Sequence, residues 1–249
     1  MKAALLEVQE YMRLVAATTR ALFTRPYYFR DIVEQFEAIG LGSMTVVLLT
    51  GTFTGMVLAL QSGITLDQFG ARSMVGRLVS ASMVKELGPV LTALMVTGRV
   101  GSGIAAELGS MMVTDQISAL RALGTDPIRK LVLPRVLAGV IMVPILTVIA
   151  DAIGMVGAWI IALTQLKVAG TVFWNSVVAG LFIEDVYMGI IKPFFLGFVI
   201  VTIACHVGLR TSGGTQGVGR ATTNAVVAAS VMVLAVDFLL TKLLFVMMY

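Results

Sequence analysis

Residues 38–66 read AIGLGSMTVVLLTGTFTGMVLALQSGITL, twenty-nine positions without a single charge. As an α-helix this stretch would reach about 43 Å at 1.5 Å per residue, more than the ~30 Å hydrocarbon core of a bilayer. It reads as one membrane crossing with overhang or tilt. Four more stretches are of the same kind. Leu87 to Val113 is broken by Arg99 and Glu107, and Val136 to Leu166 carries only Asp151. Pro193 to Leu209 has no charge beyond His206, and Ala221 to Tyr249 has only Asp237 and Lys242. Hydrophobic residues make up 58% of the 249 and charged ones 13%, about half the charged share of an average soluble domain. The fold class is therefore all-α integral membrane, with about five transmembrane helices. A sixth apolar run, 168–183, is about 16 residues long and is closed by Glu184 and Asp185. It is short for a crossing, and a surface or re-entrant helix is the preferred reading, although the sequence leaves open whether it crosses.

Upstream of the first crossing the pattern becomes amphipathic. Within residues 1–24, Leu5, Val8, Met12, Val15 and Leu22 share one stripe, while Glu10, Arg13 and Arg20 lie opposite. Pro26 ends that helix. Residues 30–39 repeat the idea, with Ile32, Val33, Phe36 and Ile39 on one side and Asp31, Glu34 and Glu37 on the other. Such helices lie in the membrane surface or pack on the rest of the protein, and the sequence leaves both readings open. The expected organisation is residues 1–37 as interfacial amphipathic helices and 38–249 as a transmembrane domain. Glu7, Glu10 and Arg13 interrupt the apolar run that a cleaved signal would need, so the start is read as retained.

The basic residues set the orientation. The N-terminal region, residues 114–135 and residues 206–220 together hold eleven Lys and Arg, against about five on the other side. This predicts a cytoplasmic N-terminus and, with five crossings, a C-terminus outside. The pI of about 9.4 belongs to these connections and does not point to nucleic acid. The single cysteine, Cys205, excludes an internal disulfide.

Residues 85–127 carry the features with functional content. Lys85, Glu86, Arg99 and Glu107 sit in a glycine-rich apolar span, where each charge costs about 2.5–3.5 kcal/mol on insertion scales. At helical rise Arg99 lies about 20 Å from Glu86 and about 24 Å from Asp115, near mid-membrane, and requires a partner. Asp237 and Asp151 are at comparable depth. Lys85 and Glu86 sit at the end of the crossing just before Pro89. An amphiphile with its tails among Leu58, Leu66, Phe69 and Leu87 would present its headgroup to them, although charged anchors at an interface are the ordinary alternative.

After this crossing Thr114 suits a helix cap, Asp115 the positive N-terminal end, Arg121 the negative C-terminal end, and Gly124 the left-handed closing residue. Pro127 stops continuation. Val113, Ile117 and Leu120 share a face, so 114–124 is read as a short helix in the most basic connection. It would dock in a groove on a cytoplasmic partner or rest on lipid headgroups. Gly51 and Gly55 form a small-xxx-small pair, read as a dimer contact, as a cavity wall, or as ordinary membrane-helix composition.

Several chemistries are absent. No lysine follows a glycine, so there is no phosphate-cradling loop and any ATP must be hydrolysed by another chain. Residues 212–219, SGGTQGVG, follow a membrane helix and not a strand, which makes them a flexible loop and not a dinucleotide site. His206 and Cys205 are too few for a zinc site. No Ser/His/Asp set is evident, and no cofactor or metal is expected.

The blocks KELGPVLTAL (85–94), GRVGS (98–102), AELGSM (106–111), TDQISAL (114–120) and Asp126-Pro127 closely resemble the MlaE family of ABC-transporter permeases. Residues 54–61 (TGMVLALQ), 133–135 (LPR), 219–223 (GRATT) and 236–241 (VDFLLT) extend the resemblance, which covers about residues 30–249. The resemblance implies a homodimeric permease in the inner membrane of a Gram-negative bacterium, moving phospholipid between the inner and outer membranes. It also implies a cytoplasmic MlaF-like ATPase, an MlaB-like STAS protein bound to that ATPase, and a periplasmic MlaD-like MCE ring. Lys85, Glu86, Leu58, Leu66, Phe69, Leu87 and Lys192 then fall where an outward-open lipid cavity is lined. Thr114, Asp115, Gln116, Ile117, Leu120 and Arg121 belong to the ATPase-coupling helix. Asp151 is not part of the family pattern, so Arg99 and Asp237 become the expected structural ion pair. The sequence departs from proteobacterial members in having Lys85 where they have Arg and Phe69 where they have Tyr. A passive anchor for an MCE ring and an intramembrane lipid-modifying enzyme are the competing readings.

Overall fold

A computed structural model describes residues 2–24 and 27–248. It is helical throughout, with no strand among the described residues. Five helical stretches are long and apolar enough to cross a membrane: Phe29–Asp67, Arg72–Val113, Ile128–Thr164, Ile183–Leu209 and Gly214–Met247. The chain is an all-α integral membrane protein. We refer to these as the first to fifth spans. The run after the third span folds as Gly170–Gly180, eleven residues and too short to cross.

The contacts divide the chain into two compact units. One comprises 1–43, 96–142 and 195–235, the other 44–95, 143–194 and 236–249. In the first unit the N-terminal helix, Lys2–Ala21, buries Leu14, Thr18 and Ala21. The Tyr11 hydroxyl lies 2.9 Å from Thr202 Oγ1, and its ring meets the edge of His206. Leu5, Val8 and Met12 of the expected apolar stripe are exposed together, whereas Val15 is half-buried. Pro26, expected to end this helix, is outside the described residues. The second amphipathic segment is not a separate helix. Phe29–Phe36 passes through a π-turn, Glu37–Leu41, directly into Gly42–Asp67, so the boundary expected at residue 37 falls inside one continuous helix.

In the second unit Ala59, Val75, Val79, Met83, Ala158, Ala162, Phe173 and Val177 form a buried cluster, against which Leu58, Leu66, Leu87 and Trp159 pack. The glycine pair of the first span is consumed inside this unit. A Cβ at Gly55 would lie 1.9 Å from the Gly154 carbonyl oxygen, and one at Gly51 would lie 2.8 Å from the Ala150 carbonyl oxygen. The first and third spans therefore touch backbone to backbone, and the pair serves intrachain packing.

The long spans are not regular throughout. Besides Glu37–Leu41, π-turns occupy Met83–Leu87, Thr97–Gly101 and Ile128–Val132. Each places an extra residue in the turn, which rotates the following side chains relative to a regular helix and loosens the carbonyl pairing. Lys85, Glu86, Arg99, Arg129 and Lys130 all lie on such turns.

Gly55→Ala should force the first and third spans apart at a cost of about 1–3 kcal/mol, because neither facing backbone can yield. Gly98→Ala, where a Cβ meets nothing within 4 Å, should leave stability unchanged. Thermal unfolding of the two purified variants in detergent checks the contrast.

Candidate functional site: a buried charge cluster beside an apolar cavity

Lys192 sits at the centre of the second unit with none of its side chain exposed. Its ammonium donates to the Lys85 carbonyl at 2.9 Å. Glu86 Oε2 is 2.8 Å away and Asp237 Oδ1 3.5 Å away. The sequence supplies the reason for the first contact. Pro89 has no N–H, so the carbonyl four residues earlier, that of Lys85, lacks its usual helical donor, and the lysine replaces it. The close approach also needs a glycine: a Cβ at Gly189 would fall 2.5 Å from the Val84 carbonyl oxygen. From the fifth span the Thr241 hydroxyl lies 2.9 Å from the Asp237 carbonyl and 3.2 Å from Glu86 Oε1, sharing one proton between them.

A second pair flanks the first. Lys85 Nζ is 2.7 Å from Asp185 Oδ1, and the Asp185 side chain is fully buried. Asp185 also accepts the Phe182 backbone N–H at 3.3 Å, so it caps the fourth span as well as holding Lys85. Together these residues bring two lysines and three carboxylates from the second, fourth and fifth spans into one network. Glu86, with 41% of its side chain exposed, is the carboxylate of the network most open to a ligand.

An apolar cavity of about 350 Å³ lies in the same unit, walled by Phe53, Thr54, Val57, Leu58, Gln61 and Leu87. Leu87 follows Glu86 in the chain. Of the expected lipid contacts, Leu58 and Leu87 therefore line the cavity. Leu66 packs in the neighbouring apolar cluster, and Phe69 is exposed in the turn that follows Asp67. Lys192 is placed in the network but is wholly covered, so it reaches no open surface itself. Thr54, Gln61, Asp185 and Thr241 were missed. The blocks 54–61 and 236–241, together with Pro89 and the two acids beginning the fourth span, were the sequence signals that could have found them.

The expected ion pair of Arg99 with Asp237 is corrected by the structure. Asp237 faces Lys192. Arg99 is on the surface of the other unit, donating to Ser43 Oγ at 3.2 Å and to the Ala38 carbonyl at 3.5 Å. Its guanidinium rests on Gly42, where a Cβ would come within 2.5 Å. The π-turn at 97–101 redirects the arginine, and carbonyl and hydroxyl acceptors replace the carboxylate. Glu107, which had no assigned role, is 2.6 Å from Arg135, a nearly buried guanidinium on the third span.

The short helix is Gln116–Ala122. Thr114 does not cap it. Its hydroxyl bonds back to the Ser110 carbonyl and finishes the preceding helix, and Asp115, at φ 57°, takes the cap position without a side-chain bond. The carboxyl end closes as expected: Gly124 is at φ 74°, with Thr125 N–H on the Leu120 carbonyl and Gly124 N–H on that of Arg121. Ile117 is buried and anchors the helix to its own unit. Ser118, Ala119, Arg121 and Leu123 face outward, and Leu123, which the sequence reading passed over, is 80% exposed.

The model of the family described as Permease MlaE matches residues 32–243. The chain belongs to the MlaE permease family. A probable ABC transporter permease protein of Rickettsia typhi is 43% identical over 220 residues, covering 88% of this chain and 85% of that one. The intermembrane phospholipid transport system permease protein MlaE of Haemophilus influenzae is 38% identical over 88% of this chain and 84% of its own. The chloroplastic protein TRIGALACTOSYLDIACYLGLYCEROL 1 of Arabidopsis thaliana is 35% identical over 88% of this chain and 62% of its own. This MlaE-family chain is accordingly a membrane permease and not an enzyme. Among the described residues no group of three His, Cys, Asp or Glu side chains is placed to hold a metal ion.

Lys192→Met strands Glu86 and Asp237 without their shared cation and should cost this permease about 3–5 kcal/mol. Adding Asp237→Asn should recover part of that loss. A double-mutant cycle on thermal unfolding measures the coupling, whereas the same cycle on Arg99 and Asp237 should give none.

Proposed function

We propose that this chain is the permease subunit of an ATP-driven transporter that moves phospholipid between two membranes. It works as a homodimer in a bacterial inner membrane with its N-terminus in the cytoplasm. The observation that carries the reading is the charge network of Lys85, Glu86, Lys192 and Asp237 beside an apolar cavity within the spans. Intramembrane charge is retained where it does work, and an amphiphile requires this pairing of polar and apolar walls. Acyl chains would lie against Phe53, Val57, Leu58 and Leu87. A zwitterionic headgroup would meet Lys85 with its phosphate and Glu86 with its amine. Lys192 and Asp237 hold Glu86 in place and make no contact with the lipid.

The energy comes from a separate cytoplasmic ATPase of the MlaF type, with an MlaB-like STAS protein on that ATPase and an MlaD-like MCE protein on the opposite face. The helix Gln116–Ala122 receives the ATPase through Ala119, Arg121 and Leu123, while buried Ile117 ties it to its own unit. The name of the Haemophilus influenzae relative, an intermembrane phospholipid transport permease, supports the substrate class.

Reconstituted vesicles holding the permease with its ATPase and MCE partners test the proposal by transfer of a fluorescent phospholipid. Glu86→Gln should reduce ATP-dependent transfer by tenfold or more, since one ionic contact is lost in a low-dielectric site. Leu123→Glu should uncouple ATP hydrolysis from lipid while leaving the permease folded. Ring recruitment without any ATP-dependent transfer would make the chain a passive anchor, and lipid breakdown without the ATPase would make it an enzyme.

A further inference from the structure

A second cavity, of about 340 Å³, lies in the other unit and plays no part in the lipid site. Its walls are Leu14, Ala17, Ile128 and Leu209, and its rim is Glu10, Arg13, His206 and Arg210. Those residues come from the N-terminal helix, the start of the third span and the end of the fourth. With five crossings, all three places fall on the same side of the membrane as the helix Gln116–Ala122. The cavity is held open by fixed contacts: Tyr11 lies against Thr202 and His206, and Arg210 is 2.9 Å from Glu10.

The direction of entry follows from helical geometry. Residues 10, 13, 14 and 17 share one face of the N-terminal helix, and the exposed apolar stripe of Leu5, Val8 and Met12 lies on the opposite face. If the stripe is what meets lipid, the cavity opens toward water. The rim also holds a positive charge at its Arg13 end that is unpaired among the described residues, while the exposed carboxylate of Glu7 acts on His206 at the other. Arg210 is paired with Glu10, while Arg13 is exposed and has no ion pair or hydrogen bond among the described residues. Arg20, seven residues further along the same face, is likewise exposed and unpaired among the described residues.

We infer that this cavity is a second docking point for the cytoplasmic subunit, taking an acidic segment that carries one bulky apolar side chain. The apolar residue would fill the floor between Leu14 and Leu209, and the acids would pair with Arg13 and Arg20. An apolar anchor ringed by charge complementarity is the ordinary form of such a contact. This inference rests on the reading that a cytoplasmic ATPase binds the chain, and it adds a site remote in sequence from Gln116–Ala122.

The test uses the assembled permease–ATPase complex. Cys205 is buried, so Ala17→Cys offers the accessible thiol for a photoactivatable benzophenone maleimide. Illumination should cross-link position 17 to an acidic stretch of the ATPase. The double variant Arg13→Glu, Arg20→Glu should weaken subunit association about tenfold and flatten its salt dependence. If that double variant is not monodisperse, Arg13→Gln with Arg20→Gln should show a smaller loss in the same direction. A cross-link to phospholipid, a cross-link to no chain, or unchanged association on charge removal overturns the inference. Leu123→Glu separates the two readings. If it uncouples transport while the arginine variants bind normally, only the second docking point fails. If no variant affects association and no ATPase is captured, the reading of the whole chain as ATP-driven fails.

Discussion

One buried ammonium organises half of this molecule. Lys192 cannot leave its charge uncompensated at a fully covered position inside a span, because a medium of low dielectric penalises an isolated ion by several kcal/mol. Its compensation comes from a carbonyl and a carboxylate of the second span and a carboxylate of the fifth. Those three acceptors fix the second, fourth and fifth spans in register within that unit. Pro89 frees the carbonyl, the π-turn at Met83–Leu87 turns Glu86 toward the lysine, and Gly189 permits the approach. The network is therefore a structural keystone whose most exposed carboxylate is Glu86.

The charges that remain differ in kind. Arg30 and Glu34 pair on an exposed helical turn, an arrangement generally worth only a few tenths of a kcal/mol. Arg135 is nearly buried, so Glu107 matters more to its neighbourhood than its own partial exposure suggests. Lys130 is braced between Asp31 and the ring of Tyr28, its ammonium 4.4 Å from the ring centroid, which ties the beginning of the third span to that of the first. The first unit is thus cross-braced by several ion pairs, most of them partly exposed, while the second buries Lys192 and Asp185 in one network and carries the exposed pair Arg72–Asp67.

Much of the membrane architecture was legible in the sequence, because it depends on length and hydropathy alone. The charge-free run 38–66 and its four counterparts pointed to about five spans, and the brevity of 168–183 favoured a surface or re-entrant helix, which the structure forms as the eleven-residue Gly170–Gly180. The closing geometry of the short helix was equally readable: Gly124 follows Arg121 at the spacing that a left-handed cap requires. Lys85 and Glu86 stood out because charge is rare in a span.

The tertiary structure alone decided which charges meet. Spacing along an ideal helix put Arg99 and Asp237 at similar depth. The π-turn at Thr97–Gly101 redirects Arg99 to backbone and hydroxyl acceptors, and Lys192 claims Asp237. Ile117 was legible as apolar, but whether it faced a partner or its own unit depended on packing, and it proved buried. Gly51 and Gly55 were legible as sites of close approach, yet only the fold showed that the third span fills them. Composition and periodicity determined that this chain spans a membrane and where its unusual charges lie. Partner choice rests on local departures from helical regularity and on long-range contacts, neither of which a one-dimensional pattern contains.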